Sequence, residues 1–257
     1  MMILIYIFIF LFGLIIGSFL NCLIWRLHKQ ESLLNRSYCP KCRRQIAWYD
    51  NIPVLSFILL SGKCRHCHKP ISWQYPAVEM VTGILFLLTF YFNYKLQITN
   101  YKLLIILLRD WFLISIMIVI FVQDLRWYVI LDKVTLPACL IVLLLNLFLG
   151  YSLWNLLISG IISGSFFLLQ FIISGGKWIG GGDIRLGMLM GLALGWPPVL
   201  VALFLAYLIG SIVSLVLVMS GKKGWQSTMP LGIFLSTATI ITLFWGEQIL
   251  NWYLGKF

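Results

Sequence analysis

Long apolar runs recur along almost the whole chain, and they constrain the fold more than any other feature. A run of about 20 apolar residues is long enough to cross the hydrocarbon core of a bilayer as a helix. Of the 257 residues, 61% are hydrophobic and 11% are charged, whereas roughly 25% of the residues in a soluble domain are charged. The sequence therefore predicts an all-α polytopic membrane protein.

Eight candidate transmembrane segments can be marked along the sequence. They lie at 3–24, 77–92, 103–122, 134–150, 152–174, 184–196, 199–219 and 231–250. The first has neither a basic start nor a small-residue cleavage site, so we expect a retained span and not a removable signal peptide. The run 184–196 is short for a crossing, so we expect it to be tilted, or re-entrant and packed inside protein.

The net charge of +11 orients these spans. If the polar segment 26–76 is cytoplasmic and the spans alternate from there, fifteen basic residues fall on the cytoplasmic side and four on the other. This asymmetry is what the positive-inside rule predicts for a protein in a lipid bilayer. The basic balance therefore needs no nucleic-acid partner.

The polar segment divides the chain into three predicted regions. These are a first transmembrane helix (1–25), a four-cysteine cytoplasmic domain (26–76) and a membrane domain (77–257). The middle region contains "CPKC" (39–42) and "CRHC" (64–67), with 21 residues between the two pairs. A gap of two residues lets both sulfurs of a pair reach one metal ion, and two pairs complete a tetrahedral Zn²⁺ site.

The cysteine pairs therefore predict a structural zinc ion bound by Cys39, Cys42, Cys64 and Cys67. The metal would supply folding energy that so small and polar a segment lacks. Two disulfides are the alternative, which a reducing cytosol disfavours. We interpret His66 and His68 as bystanders, and Cys22 and Cys139 as packing residues.

Asp124, Asp132 and Asp183 all fall on the predicted cytoplasmic side near span ends. Asp183 lies in "WIGGGDIRLG" (178–187), after glycines that allow close backbone approach. Two neighbouring carboxylates share one proton and can divide acid and base duties around a water molecule. The alternative for Asp183 is a helix cap, a role that is compatible with catalysis.

Five motifs in order resemble the type IV prepilin peptidase family, whose members are membrane aspartyl proteases. They are "GLIIGSFLNCLIWRL" (13–27), the four-cysteine stretch 36–83 with its "DNIP" and Tyr-Pro…Glu exit, "DLRWYVILDKVTLP" (124–137), "GGGDIRLG" (180–187) and "MPLGIFL" (229–235). The resemblance covers nearly the whole chain.

The resemblance implies that Asp124 and Asp183 are the two catalytic acids. It implies cleavage of type IV prepilin or pseudopilin precursors at the cytoplasmic face of a prokaryotic inner or plasma membrane, just after a glycine. Bifunctional members also methylate the new N-terminus with S-adenosylmethionine, an activity associated with the N-terminal region that this chain has. Glu79 matches the glutamate of the Tyr-Pro…Glu motif that follows the four cysteines, and this match suggests a role in methyl transfer.

The chain also departs from the family pattern. Ile130 and Leu131 stand where members usually have Ile-Pro or Leu-Pro before the aspartate, and loss of the proline should loosen this turn. Leu231 and Ile233 replace the expected Phe and second Pro in the last motif. We interpret Asp132 as a turn or cap residue, and Arg185 as an anchor or as a cation that influences the acids.

Three other functions are compatible with parts of this pattern. A peptidase without methyltransferase activity would keep the acids and lose the donor chemistry. A proton-coupled transporter would carry its acids near the bilayer midplane in repeated halves, and we see neither feature. A non-enzymatic pilus assembly factor would not need both aspartates.

We also interpret Gly17, Ser18 and Asn21, near the end of the first span, as helix-packing residues.

Overall fold

Helices dominate the computed structural model of the chain, which describes residues 2–33, 35–95, 100–222, 224 and 228–255. The helices are α1 (Met2–Lys29), α2 (Leu55–Leu59), α3 (Gln74–Lys95), α4 (Asn100–Trp127), α5 (Asp132–Phe148), α6 (Leu153–Ser174), α7 (Gly181–Leu194), α8 (Pro198–Met219) and α9 (Leu231–Leu254). A 3₁₀ turn, Trp48–Asn51, precedes α2. In the described residues, β structure is limited to two isolated bridges. Lys223 and Lys256, which counted in the charge asymmetry, lie outside the described residues.

Six of these helices, α1, α3, α4, α6, α8 and α9, are long and apolar enough to cross a membrane. The predicted all-α, multi-pass membrane fold is therefore confirmed. The helices α5 and α7 have 17 and 14 residues. At 1.5 Å per residue, α7 is about 21 Å long, which is less than the roughly 30 Å of a bilayer core.

The chain forms two compact units, Met1–Gln97 and Ile98–Phe257. The first unit contains α1, the cysteine segment and α3, whereas the sequence prediction had grouped α3 with the later helices. Small residues allow α1 and α3 to pack closely: a Cβ at Gly17 would lie 2.6 Å from the Glu79 Cα. Asn21 donates a hydrogen bond to the Tyr75 carbonyl at 3.0 Å. These contacts confirm the packing interpretation of Gly17 and Asn21.

The cysteine segment of the first unit is built from the same turn used twice. Residues 37–46 and 62–71 each carry a CxxC pair closed by an isolated bridge, Tyr38 with Gln45 and Lys63 with Pro70. In both turns the residue after the second cysteine has a left-handed φ, 57° at Arg43 and 55° at His68. The two turns therefore present their sulfurs in the same way.

The second unit holds α7 among its longer helices. A Cβ at Gly191 would lie 2.3 Å from the Ser159 carbonyl oxygen, so α6 and α7 are in backbone contact there. The Ser163 hydroxyl on α6 donates to the Gly187 carbonyl at 2.7 Å. The run predicted at 184–196 is thus a short helix enclosed by protein, where its polar groups find protein partners.

Candidate acid pair and four-cysteine cluster

Asp124 lies in the last turn of α4, at the end of the third span as predicted, although the helix runs past the predicted boundary at 122. The helix continues to Trp127 because the run "QDLRW" extends it past the apolar residues on which the prediction relied. The Asp124 side chain is buried, with 5% exposed, and its Oδ2 atom has no hydrogen-bond partner. The backbone amides of Gly232 and Ile233, in the first turn of α9, lie beside the carboxylate.

Asp183 lies in the first turn of α7 and is also buried, with 8% exposed. Its Oδ2 accepts a hydrogen bond from the Gly180 N–H at 3.0 Å. Asp183 therefore caps α7 as expected, but from the third helical position and not from the position before the helix. The capping bond occupies one carboxylate oxygen and leaves the other for chemistry.

The structure brings the two acids together, as the predicted topology required. They are close enough to interact electrostatically, and Ile130 packs between the elements that carry them. A Cβ at Gly182 would lie 2.7 Å from the Ile130 Cβ, and one at Gly232 would lie 3.0 Å from the Ile130 Cδ1. The same Gly232 Cβ would lie 2.8 Å from the Asp124 Oδ2. The loop after α4 and the first turns of α7 and α9 thus meet at the acids.

The third acid, Asp132, does not join this pair. It is the first residue of α5 and forms an ion pair with Arg185 on α7. Both side chains are partly exposed, 48% and 40% respectively. The position of Asp132 at a helix start agrees with its interpretation as a turn or cap residue. Arg185 has a partner on a neighbouring helix that the sequence did not suggest.

Polar residues missed by the sequence analysis hold the other end of α7. Asn146 on α5 donates hydrogen bonds to the carbonyls of Leu192, at 2.8 Å, and Ala193, at 3.2 Å. These are among the last carbonyls of α7, which have no partner within the helix. The Asn146 Oδ1 in turn accepts a bond from Arg109 Nη1 at 3.1 Å.

Arg109 is itself buried and paired with Asp110 at 2.7 Å. From the sequence we expect Arg109 and Asp110 at the outer end of the third span, where they could contact water or form an ion pair with each other. They do pair, but α4 begins at Asn100, so the pair lies well inside the helix. A positive charge beside the carbonyl end of α7 also favours the dipole of that helix.

A second polar pair, also missed, lies near Asp183. The Tyr207 hydroxyl on α8 donates to Gln170 Oε1 on α6 at 2.9 Å, and Tyr207 is close enough to Asp183 for electrostatic interaction. The sequence contained a signal for both residues. Each is a polar-tipped side chain inside an otherwise apolar run, and such residues usually face other protein groups.

The four cysteines converge in the first unit. The sulfurs of Cys39, Cys42, Cys64 and Cys67 all lie within 4.8 Å of one another, and Cys39 Sγ is 3.9 Å from Cys67 Sγ. Sulfurs placed tetrahedrally at about 2.3 Å from a zinc ion are about 3.8 Å apart. The cluster therefore fits a tetrahedral metal ion.

The pKa values of two thiols of the cluster shift in opposite directions. Hydrogen bonds from the backbone amides of Cys67 and His66 lower the pKa of the Cys64 thiol to about 7. A lower pKa favours the thiolate, which is the form that binds metal. The backbone of Lys69 lowers the pKa of Cys67, but burial and hydrogen bonds with the other cysteines outweigh it and raise that pKa to about 11. His66 lies 3.5 Å from an Arg44 guanidinium nitrogen. All six cysteines of the chain are free of disulfide bonds.

Glu79 belongs to a buried polar cluster between α1 and α3. Its Oε2 accepts the Val54 N–H at 2.8 Å, and its carboxylate lies near the Ser18 hydroxyl. Nearby, Gln74 Nε2 donates to Asn21 Oδ1 at 3.2 Å, while the buried Gln74 Oε1 has no partner. The first unit thus has an unpartnered buried oxygen at Gln74, as the second unit has at Asp124.

Comparisons with known proteins cover both units. Residues 11–93 match the model of the bacterial peptidase A24 N-terminal domain, and residues 111–215 match the model of the type IV leader peptidase family. No solved structure was found to match the chain.

Curated relatives named prepilin leader peptidase/N-methyltransferase align along most of their length. A protein of Legionella pneumophila is 30% identical over 97% of this chain and 94% of its own. One of Bacillus subtilis is 30% identical over 96% of both chains. One of Klebsiella pneumoniae is 36% identical over 77% of this chain and 89% of its own.

Proposed function

This chain belongs to the type IV leader peptidase family, and we propose that it removes the leader peptide of type IV prepilin-like precursors with Asp124 and Asp183. One observation carries the proposal. Asp124 and Asp183 are two buried carboxylates near enough to interact, and an oxygen of Asp124 has no hydrogen-bond partner. An unpaired buried acceptor costs free energy unless it serves a ligand, a water molecule or a proton.

The chemistry follows from the pair. The ionised acid takes a proton from a water molecule, and the water oxygen attacks the peptide carbonyl carbon. The protonated acid donates its hydrogen bond to the carbonyl oxygen as negative charge develops there, so charge is stabilised at the atom where it appears. Collapse of the tetrahedral intermediate breaks the C–N bond, and a proton from the pair goes to the leaving amine.

The glycines before Asp183 provide the room that an extended peptide needs. A Cβ at Gly181 would have no atom within 4 Å, so the space beside this residue is open. The substrate backbone can approach the acids there. A precursor whose hydrophobic helix stays in lipid can thus present the bond at the end of that helix.

We further propose that the first unit transfers a methyl group to the new N-terminus. S-adenosylmethionine, when bound, would supply an electrophilic methyl group for the amine nitrogen, with its thioether as the leaving group. The amine must first lose a proton, and Glu79 is a buried carboxylate that can accept one. The unpartnered Gln74 Oε1 offers an acceptor for a polar group of a ligand.

We propose that the metal of the four-cysteine cluster is Zn²⁺ and that this domain lies on the cytoplasmic side of the inner or plasma membrane. Four thiolates leave no open coordination position, so the ion serves folding and not catalysis. The excess of basic residues around the cysteines supports the orientation.

One assay tests both activities. Purified protein in liposomes is mixed with a pseudopilin precursor, with and without S-adenosylmethionine, and the pilin N-terminus is read by mass spectrometry. We expect loss of the leader in both cases, and a gain of one methyl group only with the donor. Cleavage without methylation would identify a peptidase alone, and an intact precursor would overturn the peptidase proposal in favour of an assembly factor.

A further inference from the structure

The short helix α2 in the cysteine segment exposes its apolar side chains and buries its polar one. Leu55, Ile58 and Leu59 occupy positions i, i+3 and i+4 and therefore share one side of the helix. They are 49%, 64% and 73% exposed, whereas Ser56 is buried and donates a hydrogen bond to the Tyr49 carbonyl at 2.9 Å. A helix on a soluble domain buries its leucines and exposes its serines.

A tryptophan extends this exposed surface. The Trp73 ring is 76% exposed and contacts Phe57 of α2, with ring centroids 4.9 Å apart. We call Leu55, Ile58, Leu59 and Trp73 the α2 face. Large apolar side chains gathered on one surface mark a place where protein or lipid binds.

Two contacts fix the α2 face beside the start of a membrane span. Trp73 immediately precedes α3, a helix long and apolar enough to cross the bilayer. The Val54 N–H, at the beginning of α2, bonds to Glu79 in the second turn of α3. Tryptophan is enriched where spans enter the headgroup region. The α2 face thus continues the membrane-contacting surface of α3.

Val54 holds α2 in this place at a cost in backbone strain. It adopts φ 59° and ψ −49°, and Leu55 N–H bonds back to the Pro53 carbonyl, which makes a three-residue γ-turn. This turn is rare, and a β-branched residue with positive φ is an outlier. Strain of this kind persists only where surrounding contacts enforce it. The reversed orientation of α2 is therefore fixed by the fold.

The charge of the segment matches an anionic lipid surface. Residues 26–76 carry nine basic side chains and two acidic ones. The net charge of the segment stays positive even when the charges of four thiolates and one divalent ion are included. Basic residues beside an apolar interfacial surface attract anionic headgroups.

We infer that the α2 face inserts into the headgroup region of the leaflet on its own side and holds the cysteine domain against anionic lipid. The inference does not depend on either proposed activity, because it rests on exposure, position and charge. The cysteine domain then contacts the membrane at three places: where it joins α1, where it joins α3, and at the α2 face.

A fluorescence measurement on the full-length protein tests this. In a Cys22→Ser/Cys139→Ser background, Leu59→Cys is labelled with bimane and reconstituted into vesicles containing lipids brominated near the headgroup. Lys41→Cys, an exposed site in the first CxxC turn, is the matched control. One equivalent of bound zinc in each variant verifies that the cysteine cluster is intact.

We expect bromolipid quenching at position 59 at least about three times that at position 41. The quenching should increase with the fraction of phosphatidylglycerol and decrease at high salt. Equal quenching at both sites, together with free access of aqueous iodide to position 59, would overturn the inference. The inference would also be overturned if position 59 showed no bromolipid quenching but became protected from iodide as precursor was added or as the amount of protein per vesicle was raised. A protein partner, and not lipid, would then cover the α2 face.

Because a label replaces the residue it reports on, hydrogen exchange of the unlabelled protein provides a second reading. Both the wild-type protein and an Ile58→Ser/Leu59→Ser variant are placed in phosphatidylglycerol nanodiscs. The backbone amides of residues 55–60 should exchange at least about tenfold more slowly in the wild type than in the variant. Equal exchange in both proteins would count against membrane insertion.

Discussion

At the scale of single residues, the acid site depends on glycines that have no room for a side chain. A Cβ at Gly182 or at Gly232 would collide with Ile130, and one at Gly232 would also collide with the Asp124 carboxylate. Gly181 lies next to Gly182 in sequence, yet a Cβ there would meet nothing within 4 Å. The three glycines before Asp183 therefore differ in role, although their sequence is uniform.

The first prediction compares two of these glycines. Gly182→Ala should lower kcat/KM for precursor cleavage by about tenfold or more, because overpacking costs roughly 1–3 kcal/mol and displaces Asp183 from Asp124. Gly181→Ala should leave kcat within about twofold of wild type and act mainly on KM, because its Cβ meets no protein atom but enters the space proposed for the substrate backbone. Ile130→Ala added to Gly182→Ala should recover part of the activity. Equal kcat values of the two single variants would contradict the packing described here.

A second prediction concerns Glu79. Glu79→Gln keeps the shape of the side chain but cannot take a proton from an amine. Methyl transfer to a pre-cleaved pilin should fall by about a hundredfold or more, the lower end of the range for general base catalysis, while precursor cleavage is unchanged. The measurement is transfer of a labelled methyl group under saturating donor. Unchanged methyl transfer would leave Glu79 with only the structural role of binding the Val54 N–H.

At the scale of helices, α7 is too short to cross the bilayer and depends on its neighbours at both ends. Asp183 caps its first turn, and Asn146 satisfies carbonyls of its last turn with Arg109 behind it. Membrane lipid offers no hydrogen bonds to such carbonyls. The position of Asp183 therefore depends on a polar cluster at the opposite end of the same helix.

The third prediction follows from this arrangement. Asn146→Leu should destabilise the protein by about 1–3 kcal/mol, the cost of unpaired buried polar groups, and lower kcat for cleavage about tenfold with little change in KM. Asn146→Asp should not restore activity, because it removes the donor. Ser115→Ala, which removes a bond within α4, is the control and should behave as wild type. A normal kcat in Asn146→Leu would refute the dependence of Asp183 on this cluster.

The two CxxC turns give a fourth prediction. Replacing Cys39 or Cys64 with Ser should lower bound zinc from one equivalent to less than about 0.1 and make the segment sensitive to protease, because the metal supplies much of the folding energy of so small a domain. Cys22→Ser and Cys139→Ser should keep the metal. Zinc is measured by elemental analysis of the purified protein. Retention of a full equivalent after loss of Cys39 or Cys64 would exclude the four-thiolate site.

Element by element, the sequence predicted helices wherever the apolar runs were long, and it failed where tertiary contacts decide. The end of α4 was placed at 122 because hydropathy falls at Gln123 and Asp124, but burial of both residues lets the helix continue. The reversed α2 could not be recognised, because a five-residue apolar helix carries no sign of which side faces out. The two CxxC turns could have been recognised as one repeated unit, since equivalent cysteines lie 25 residues apart, 39 with 64 and 42 with 67.

At the scale of the whole molecule, the chain combines two compact units with different polar side chains. The second holds the two acids, and the first holds the four-cysteine cluster and Glu79. The sequence could predict that Asp124 and Asp183 face the same side, because topology follows from hydropathy and charge. It could not predict Ile130, Asn146 or Tyr207, whose roles depend on helix rotation and on contacts between distant residues.

The chemistry also fixes an order of the two reactions. Methyl transfer needs a free amine, and the precursor exposes that amine only after its peptide bond is cut. Loss of cleavage should therefore block methylation of an intact precursor, although the first unit is unchanged.

The most direct test of the account replaces each acid and measures both reactions. Asp124→Asn and Asp183→Asn keep the shape of each side chain and remove its charge. Each should lower cleavage of an intact precursor by at least about a thousandfold, as expected when a member of a catalytic unit is lost, and should still methylate a pre-cleaved pilin at the wild-type rate. Substantial cleavage by either variant would contradict the assignment of the acid pair, and loss of both activities together would contradict their separation into two units.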